Sequence, residues 1–112
     1  LFGDGSQAYD VVHVQDVARS IIAALEAEAT DAFFNVGTGV QTTITELVDQ
    51  LLAITGSDDE PLYLPQEQKF VTNRVGDPRL AREQLGFVAD VELADGLRSV
   101  VDWRAATVAA EA

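Results

Sequence analysis

The sequence predicts an α/β class, or α+β when the chain is taken alone, with about four helices and three to four short strands around one small sheet. Two features predict this class. Short β-branched or aromatic runs alternate with apolar residues at helical spacing, and glycine or Asp-Pro turns separate them. With 112 residues, 47% of them hydrophobic, the chain has the size and composition of one folded domain with a single core.

Three runs are predicted as strands. Residues 11–14 are rich in β-branched side chains, and residues 33–36 are mainly apolar and lead into the turn that contains Gly37 and Gly39. Residues 62–64 lie between two prolines, which is typical of an edge strand because proline donates no backbone hydrogen bond. The sheet is therefore expected to be small.

Two helices are predicted in the first half of the chain. Asp16 is the predicted N-cap of the first, whose apolar side chains at positions 17, 18, 21, 22 and 25 are expected to be buried on one face. Thr43 and Glu46 form a capping box for the second helix, and Gly56 supplies its stop.

Two more helices are predicted in the second half. Asp77 is the predicted N-cap of the third, with Pro78 at the first helical position, where the missing N–H is no loss. Gly86 ends this helix. The last helix carries apolar residues on one face at positions 93, 97, 100, 101 and 108.

The charge excludes several classes of partner. Nineteen acidic residues against seven basic ones give a net charge of −12, which repels nucleic-acid backbones and anionic membrane surfaces. The chain has no cysteine, no long apolar run and no signal-peptide pattern. We therefore expect a cytoplasmic protein that binds neither nucleic acid nor membrane.

Several patterns resemble sites but lack an essential residue. The turn at Gly37 and Gly39 has Thr42 where a dinucleotide-binding turn needs its third glycine, so an ordinary strand-to-helix turn is favoured. His13 is the only histidine, which favours a structural role over a triad or a zinc site. The acidic run at 58–60 lacks the spacing of a calcium loop. No catalytic residue and no metal ligand is assigned.

Four of the seven basic residues, Lys69, Arg74, Arg79 and Arg82, lie in residues 69–82. This window carries a charge of +3, whereas the rest of the chain carries −15, so an anionic ligand is expected to bind here. Lys69 and Arg74 lie outside the predicted helix and are the better candidates. For Arg79 and Arg82 two interpretations stay open, a ligand contact or a solvated helix face.

Motifs in a fixed order carry a resemblance to a known family. They are FGDGSQ at 2–7, DVVHVQDVA at 10–18, FNVGTG at 34–39, TTITEL at 42–47, DPRLAREQLGF at 77–87 and LADGL with a following DW at 93–103. Together they resemble the extended short-chain dehydrogenases that act on nucleotide sugars, the NAD-dependent epimerases and dehydratases, UDP-glucose 4-epimerases among them. The resemblance covers nearly the whole chain.

The resemblance implies a fold and a partial function. Residues 1–112 correspond to the C-terminal, substrate-binding part, which combines a small substrate domain with an edge strand and helices of a Rossmann-type fold. The NAD-binding Rossmann part, with the family's glycine turn and Tyr-x-x-x-Lys pair, belongs to an N-terminal half that this chain lacks. Neither Tyr9 nor Tyr63 has a lysine four residues later. The chain alone is therefore expected to be inactive and to bind no NAD, although the full-length parent uses NAD.

Two departures from the family pattern bear on the ligand. Tyr9 stands where the family commonly has an arginine for the nucleotide diphosphate, and a second common arginine is absent near Gln66 and Glu67. Arg74 falls where nucleotide-sugar decarboxylases of the family have an arginine near the phosphates. The residues assigned to substrate binding are therefore Tyr9, Lys69 and Arg74.

The resemblance leaves the reaction open. A UDP-glucose 4-epimerase acting on UDP-glucose or UDP-galactose is the first hypothesis, and a 4,6-dehydratase, a reductase or a decarboxylase uses the same scaffold. The alternative of another class is a non-catalytic, acidic protein-interaction module. The expected partners are a nucleotide sugar, the missing N-terminal half and a second copy in a homodimer.

Overall fold

A computed structural model of the chain describes residues 1–66 and 72–111. Within these ranges the structure has four helices and three two-residue strands. In chain order they are β1 (Ala8–Tyr9), α1 (Val14–Glu26), β2 (Thr42–Thr43), α2 (Ile44–Thr55), β3 (Asn73–Arg74), α3 (Arg79–Leu85) and α4 (Leu93–Glu111). The predicted fold class is confirmed.

β1 is the central strand of a mixed sheet. β2 pairs with it antiparallel and β3 pairs with it parallel, in the order β2-β1-β3. Beside this sheet the first residues of the chain run parallel to residues 62–64, where the Leu64 amide donates to Leu1 and the Gly3 amide donates to Leu64. The predicted edge strand at 62–64 is thus reduced to one bridge between Phe2 and Leu64.

Two predicted strands are wrong. Residues 11–13 belong to no strand and Val14 already begins α1, while residues 33–36 have no strand partner among the described residues. Both runs favour an extended backbone, but a strand exists only where a neighbouring segment satisfies its backbone N–H and C=O groups. The central position in the sheet belongs to Ala8 and Tyr9 instead.

The predictions for α1 also need correction. His13 is the N-cap, because its Nδ1 accepts the Gln15 amide at 3.1 Å, and Asp16 lies buried within the first turn. The apolar face that was expected to be buried is exposed, with 59% of Ile21 and 81% of Leu25 accessible. No described segment of the chain covers this face.

Both ends of α2 and the end of α3 agree with the sequence. The reciprocal capping box of Thr43 and Glu46 is present, and Gly56 ends α2 in the left-handed region at φ 67°. The predicted start of α3 is displaced by one residue: Pro78 is the N-cap and the helix begins at Arg79, while the Asp77 carboxylate accepts the Arg79 amide at 3.1 Å. Gly86 ends α3.

The buried apolar core is small. Among the described residues it consists of Ala8, Ala81 and Phe87, and α2 packs on α4. No described helix combines the length and the apolarity that crossing a membrane requires. The three-stranded sheet positions the candidate site.

Candidate functional site

Tyr9 and Arg74 lie side by side in the sheet. They are register partners on the parallel strands β1 and β3, and such partners project to the same face. Hydrogen bonds of 2.9 Å flank the pair, from the Ala8 amide to Thr72 and from the Asp10 amide to Arg74. The structure therefore brings together two of the three residues assigned to substrate binding. Lys69 lies outside the described residues.

Arg74 is exposed, and among the described residues it forms no ion pair. Asp77, its nearest acid in sequence, is engaged by Arg79, whose Nε lies 3.0 Å from each carboxylate oxygen. The hydrogen bond from Arg79 lowers the pKa of Asp77, and Asp77 in turn raises the pKa of Arg79. The guanidinium of Arg74 is therefore not committed to Asp77.

Asp10 closes the turn that resembled a dinucleotide-binding loop. Its Oδ1 accepts the Thr38 amide at 2.9 Å and the Thr38 hydroxyl at 2.6 Å, and its Oδ2 accepts the Gly39 amide at 2.8 Å. A Cβ on Gly37 would lie 2.5 Å from Oδ2, so a side chain there would displace the carboxylate. In this glycine turn (residues 37–39) the amides of Thr38 and Gly39 are satisfied by Asp10 and are not free to bind a cofactor phosphate.

A cavity of about 260 Å³ adjoins Tyr9 and is lined by Leu1, Phe2, Gln7, Tyr9 and Ile44. Gln7 is buried and donates from Nε2 to the Phe2 carbonyl at 3.0 Å, while its Oε1 accepts no hydrogen bond in the described structure. Gln7 was not among the residues predicted for the site. Its position in the FGDGSQ motif was the available signal.

Two further polar groups are structural. His13 caps α1 and its Nε2 lies 3.1 Å from the Ser99 hydroxyl on α4, close to where a Cβ on Gly96 would stand. Asp16 is fully buried and accepts the backbone amides of Asp90 and Val91. Within residues 1–66 and 72–111 no cluster of three metal-ligating side chains is present. None of these hydrogen bonds of His13 and Asp16 involves Tyr9 or Arg74.

The fold and motifs together define a class. A sequence model of the NAD dependent epimerase/dehydratase family matches residues 1–37. The predicted resemblance is confirmed: the chain is related in sequence and fold to the extended short-chain NAD-dependent epimerases and dehydratases.

Three known proteins illustrate this relationship. The chain is 36% identical, over 92% of its length, to 33% of a UDP-glucose 4-epimerase of Mycolicibacterium smegmatis. It superposes with a TM-score of 0.92 and 38% identity on the UDP-glucose 4-epimerase of Thermotoga maritima with UDP-glucose, covering 96% of this chain and 35% of that one. It superposes on the Bordetella bronchiseptica enzyme WbmF in complex with NAD+ and UDP with a TM-score of 0.81 and 34% identity, covering 96% of this chain and 32% of that one. The chain thus spans about a third of the length of the proteins it matches.

Proposed function

We propose that this chain is the C-terminal, nucleotide-sugar-binding part of an NAD-dependent epimerase or dehydratase, similar to UDP-glucose 4-epimerase. The observation that carries the proposal is the pairing of Tyr9 with Arg74 on one face of the sheet, next to the cavity that Tyr9 lines. The similar structures from Thermotoga maritima and Bordetella bronchiseptica hold UDP-glucose and UDP respectively. A UDP-sugar such as UDP-glucose or UDP-galactose is therefore the proposed ligand.

The charges support an anionic ligand at this place. A nucleotide diphosphate carries negative charge towards a chain of net charge −12, so binding needs a local cation that offsets the repulsion. Arg74 supplies one without an ion-pair partner among the described residues, and its planar guanidinium suits a bidentate contact with phosphate oxygens. Tyr9 beside it adds a hydroxyl or a ring face, and Lys69 is proposed to add a second positive charge.

The remaining parts of the reaction are proposed to lie outside this chain. The chain spans about a third of its relatives, and the uncovered apolar face of α1 supports an N-terminal Rossmann part packed against it. That part is proposed to bind NAD and to supply the catalytic residues, since the amides of the glycine turn are occupied by Asp10. The chain alone is proposed to be inactive. A homodimer and a cytoplasmic location stay predictions from the sequence.

The geometry serves any reaction of the family on a nucleotide sugar. The Tyr9–Arg74 pair is proposed to bind the diphosphate. This group is common to the substrates of the epimerases, 4,6-dehydratases, reductases and decarboxylases of this family. The residues that contact the reacting sugar carbons are proposed to belong to the N-terminal part. Epimerisation of UDP-glucose is preferred because UDP-glucose 4-epimerases are among the relatives matched over nearly the whole chain.

Substitution of Arg74 tests the proposal in the full-length parent. We expect Arg74→Ala to weaken UDP-glucose binding by roughly 1.5–3 kcal/mol, the scale of a hydrogen bond to a charged group. Arg98→Ala on α4 is the matched control and is expected to leave the affinity unchanged, because Arg98 lies on another element. Calorimetric titration measures both. Equal UDP-glucose affinities of the two variants would contradict the assignment of Arg74 as the residue that binds the phosphates.

A separate titration of NAD into this chain alone is expected to show no binding.

A further inference from the structure

Asp10 connects three segments around the proposed site. Its backbone amide donates to the Arg74 carbonyl at 2.9 Å and so extends the pairing of β1 with β3 by one residue. Its carboxylate accepts three hydrogen bonds from Thr38 and Gly39 in the glycine turn. Three residues beyond Gly39 the chain enters β2, where Thr42 is the register partner of Tyr9.

The strands themselves provide little restraint. Each has only two residues, so few ladder hydrogen bonds fix the direction in which Tyr9 and Arg74 project. Strand ends of this kind open readily unless another contact closes them. Asp10 is the residue immediately after β1. Its backbone amide joins the end of β1 to β3, and its carboxylate joins it to the turn that leads to β2.

The chemistry of this contact requires a carboxylate. All three partners of the Asp10 side chain are donors, namely two backbone amides and the hydroxyl of Thr38. An ionised carboxylate is an acceptor only, whereas the amide of asparagine would turn an NH₂ group towards at least one donor. Position 37 is likewise restricted to glycine, because a Cβ would approach Oδ2 to 2.5 Å.

We propose that Asp10 is a positioning residue for nucleotide-sugar binding: by bracing the glycine turn and the end of β1, it holds Tyr9 and Arg74 in the register that meets the diphosphate. This inference rests on the proposed function. Asp10 itself touches no ligand in this arrangement, because its carboxylate oxygens are occupied by the turn. Its effect on binding is transmitted through the backbone of its neighbour Tyr9 and through its bond to Arg74.

Two variants of the full-length parent disturb the brace in different ways. Asp10→Asn removes the charge with little change in shape, and Gly37→Ala keeps the carboxylate but displaces it sterically. Asp16→Asn is the matched control, since Asp16 also binds two backbone amides, those of residues 90 and 91, and none of its hydrogen bonds reaches β3 or the glycine turn. All three variants are compared at a temperature where each is folded.

We expect Asp10→Asn and Gly37→Ala to raise the Kd for UDP-glucose by about tenfold, since small displacements of binding groups are costly. Asp16→Asn is expected to lower the thermal midpoint and to leave this Kd within about twofold of the unchanged protein. Thr38→Ser keeps the hydroxyl donor and should retain full affinity, whereas Thr38→Val should show an intermediate loss. Hydrogen exchange at the amide of residue 10 should accelerate in Asp10→Asn without any ligand present.

The outcomes separate the two proposals. If the unchanged parent binds no UDP-glucose, the proposed function fails and the positioning role fails with it. If the parent binds UDP-glucose but Asp10→Asn and Gly37→Ala bind it as tightly as Asp16→Asn does, only the positioning role is overturned. An unchanged exchange rate at residue 10 in Asp10→Asn would likewise overturn it, because the brace would then not hold the strand end.

Discussion

At the scale of single residues, Asp16 shows how a buried charge is tolerated in this chain. Its side chain is inaccessible to solvent, and burial by itself raises the pKa of the carboxyl. Hydrogen bonds from Arg19 and from the amides of Val91 and Asp90 outweigh this effect, so the pKa lies below the ordinary value of 3.8. Arg19 also contacts the Asp90 carboxylate at 3.0 Å and lies over the Phe87 ring. Asp16 thus ties α1 to residues 87–91.

This arrangement fixes the pH dependence that Asp16 contributes to stability. Because the folded pKa is lowered, the contribution is complete above the unfolded value of 3.8 and is lost as pH falls through the folded pKa. We expect Asp16→Asn to lower the free energy of unfolding at neutral pH by about 2 kcal/mol. The stability gap between the two proteins should shrink below the ordinary pKa. Urea titrations of the parent and variant at several pH values measure it, and a gap independent of pH would contradict the interpretation.

The residues of the candidate site were predictable in part. Arg74 stood out because basic residues are scarce and it lies outside the predicted helix, and the structure pairs it with Tyr9. Their assignment to substrate binding stays a prediction. The contacts of Asp10 with the glycine turn and of Asp16 with residues 90 and 91 were not predictable, since these partners lie 28 or more and 74 or more residues away in sequence. Only tertiary structure brings such groups together.

At the scale of elements, most signals confined to one helical turn were reliable, although the predicted N-cap at Asp16 was wrong. The capping box of Thr43 and Glu46 and the stops at Gly56 and Gly86 all depend on neighbours within a few residues, and all are present. The predicted strands at 11–14 and 33–36 failed because pairing is a property of two segments, and β-branched or aromatic composition says nothing about the second. Local chemistry sets helix ends, and distant partners set strands.

The capping box provides a prediction at this scale. The Thr43 hydroxyl accepts the Glu46 amide at 3.1 Å, and the Glu46 carboxylate accepts the Thr43 amide at 2.7 Å. We expect Thr43→Ala to destabilise the parent by about 1 kcal/mol, the usual cost of losing an N-cap. Thr55→Ala, in the last turn of the same helix, removes only bonds to helical carbonyls and should change stability by less than about 0.5 kcal/mol. Equal effects in urea unfolding would count against the cap.

At the scale of the whole molecule, the chain is more open than its length suggests. Its radius of gyration is 16.9 Å, and its extents are 49 × 38 × 21 Å. A compact domain of this length has a radius of about 13 Å. The apolar face of α1 is uncovered, and the side chain of Phe33 is 95% exposed. Several large apolar side chains of the described residues therefore face solvent.

The exposed surface leads to the last prediction, on the behaviour of this chain by itself. Contiguous apolar patches drive association or mark a missing partner, so we expect the isolated chain to bind a hydrophobic dye and to self-associate. Leu25→Lys, at the most exposed large hydrophobic residue of α1, should reduce both dye binding and self-association. Leu62→Lys is the control, because it makes the same substitution at a leucine that is 72% exposed on another segment, and it should reduce both effects less. In the full-length parent the order of harm should reverse, because a lysine at position 25 would then be buried against the N-terminal part and would lower the thermal midpoint more than one at position 62. Dye fluorescence, sedimentation and thermal unfolding measure these effects. A strictly monomeric chain that unfolds cooperatively and binds no dye would show that the α1 face needs no partner.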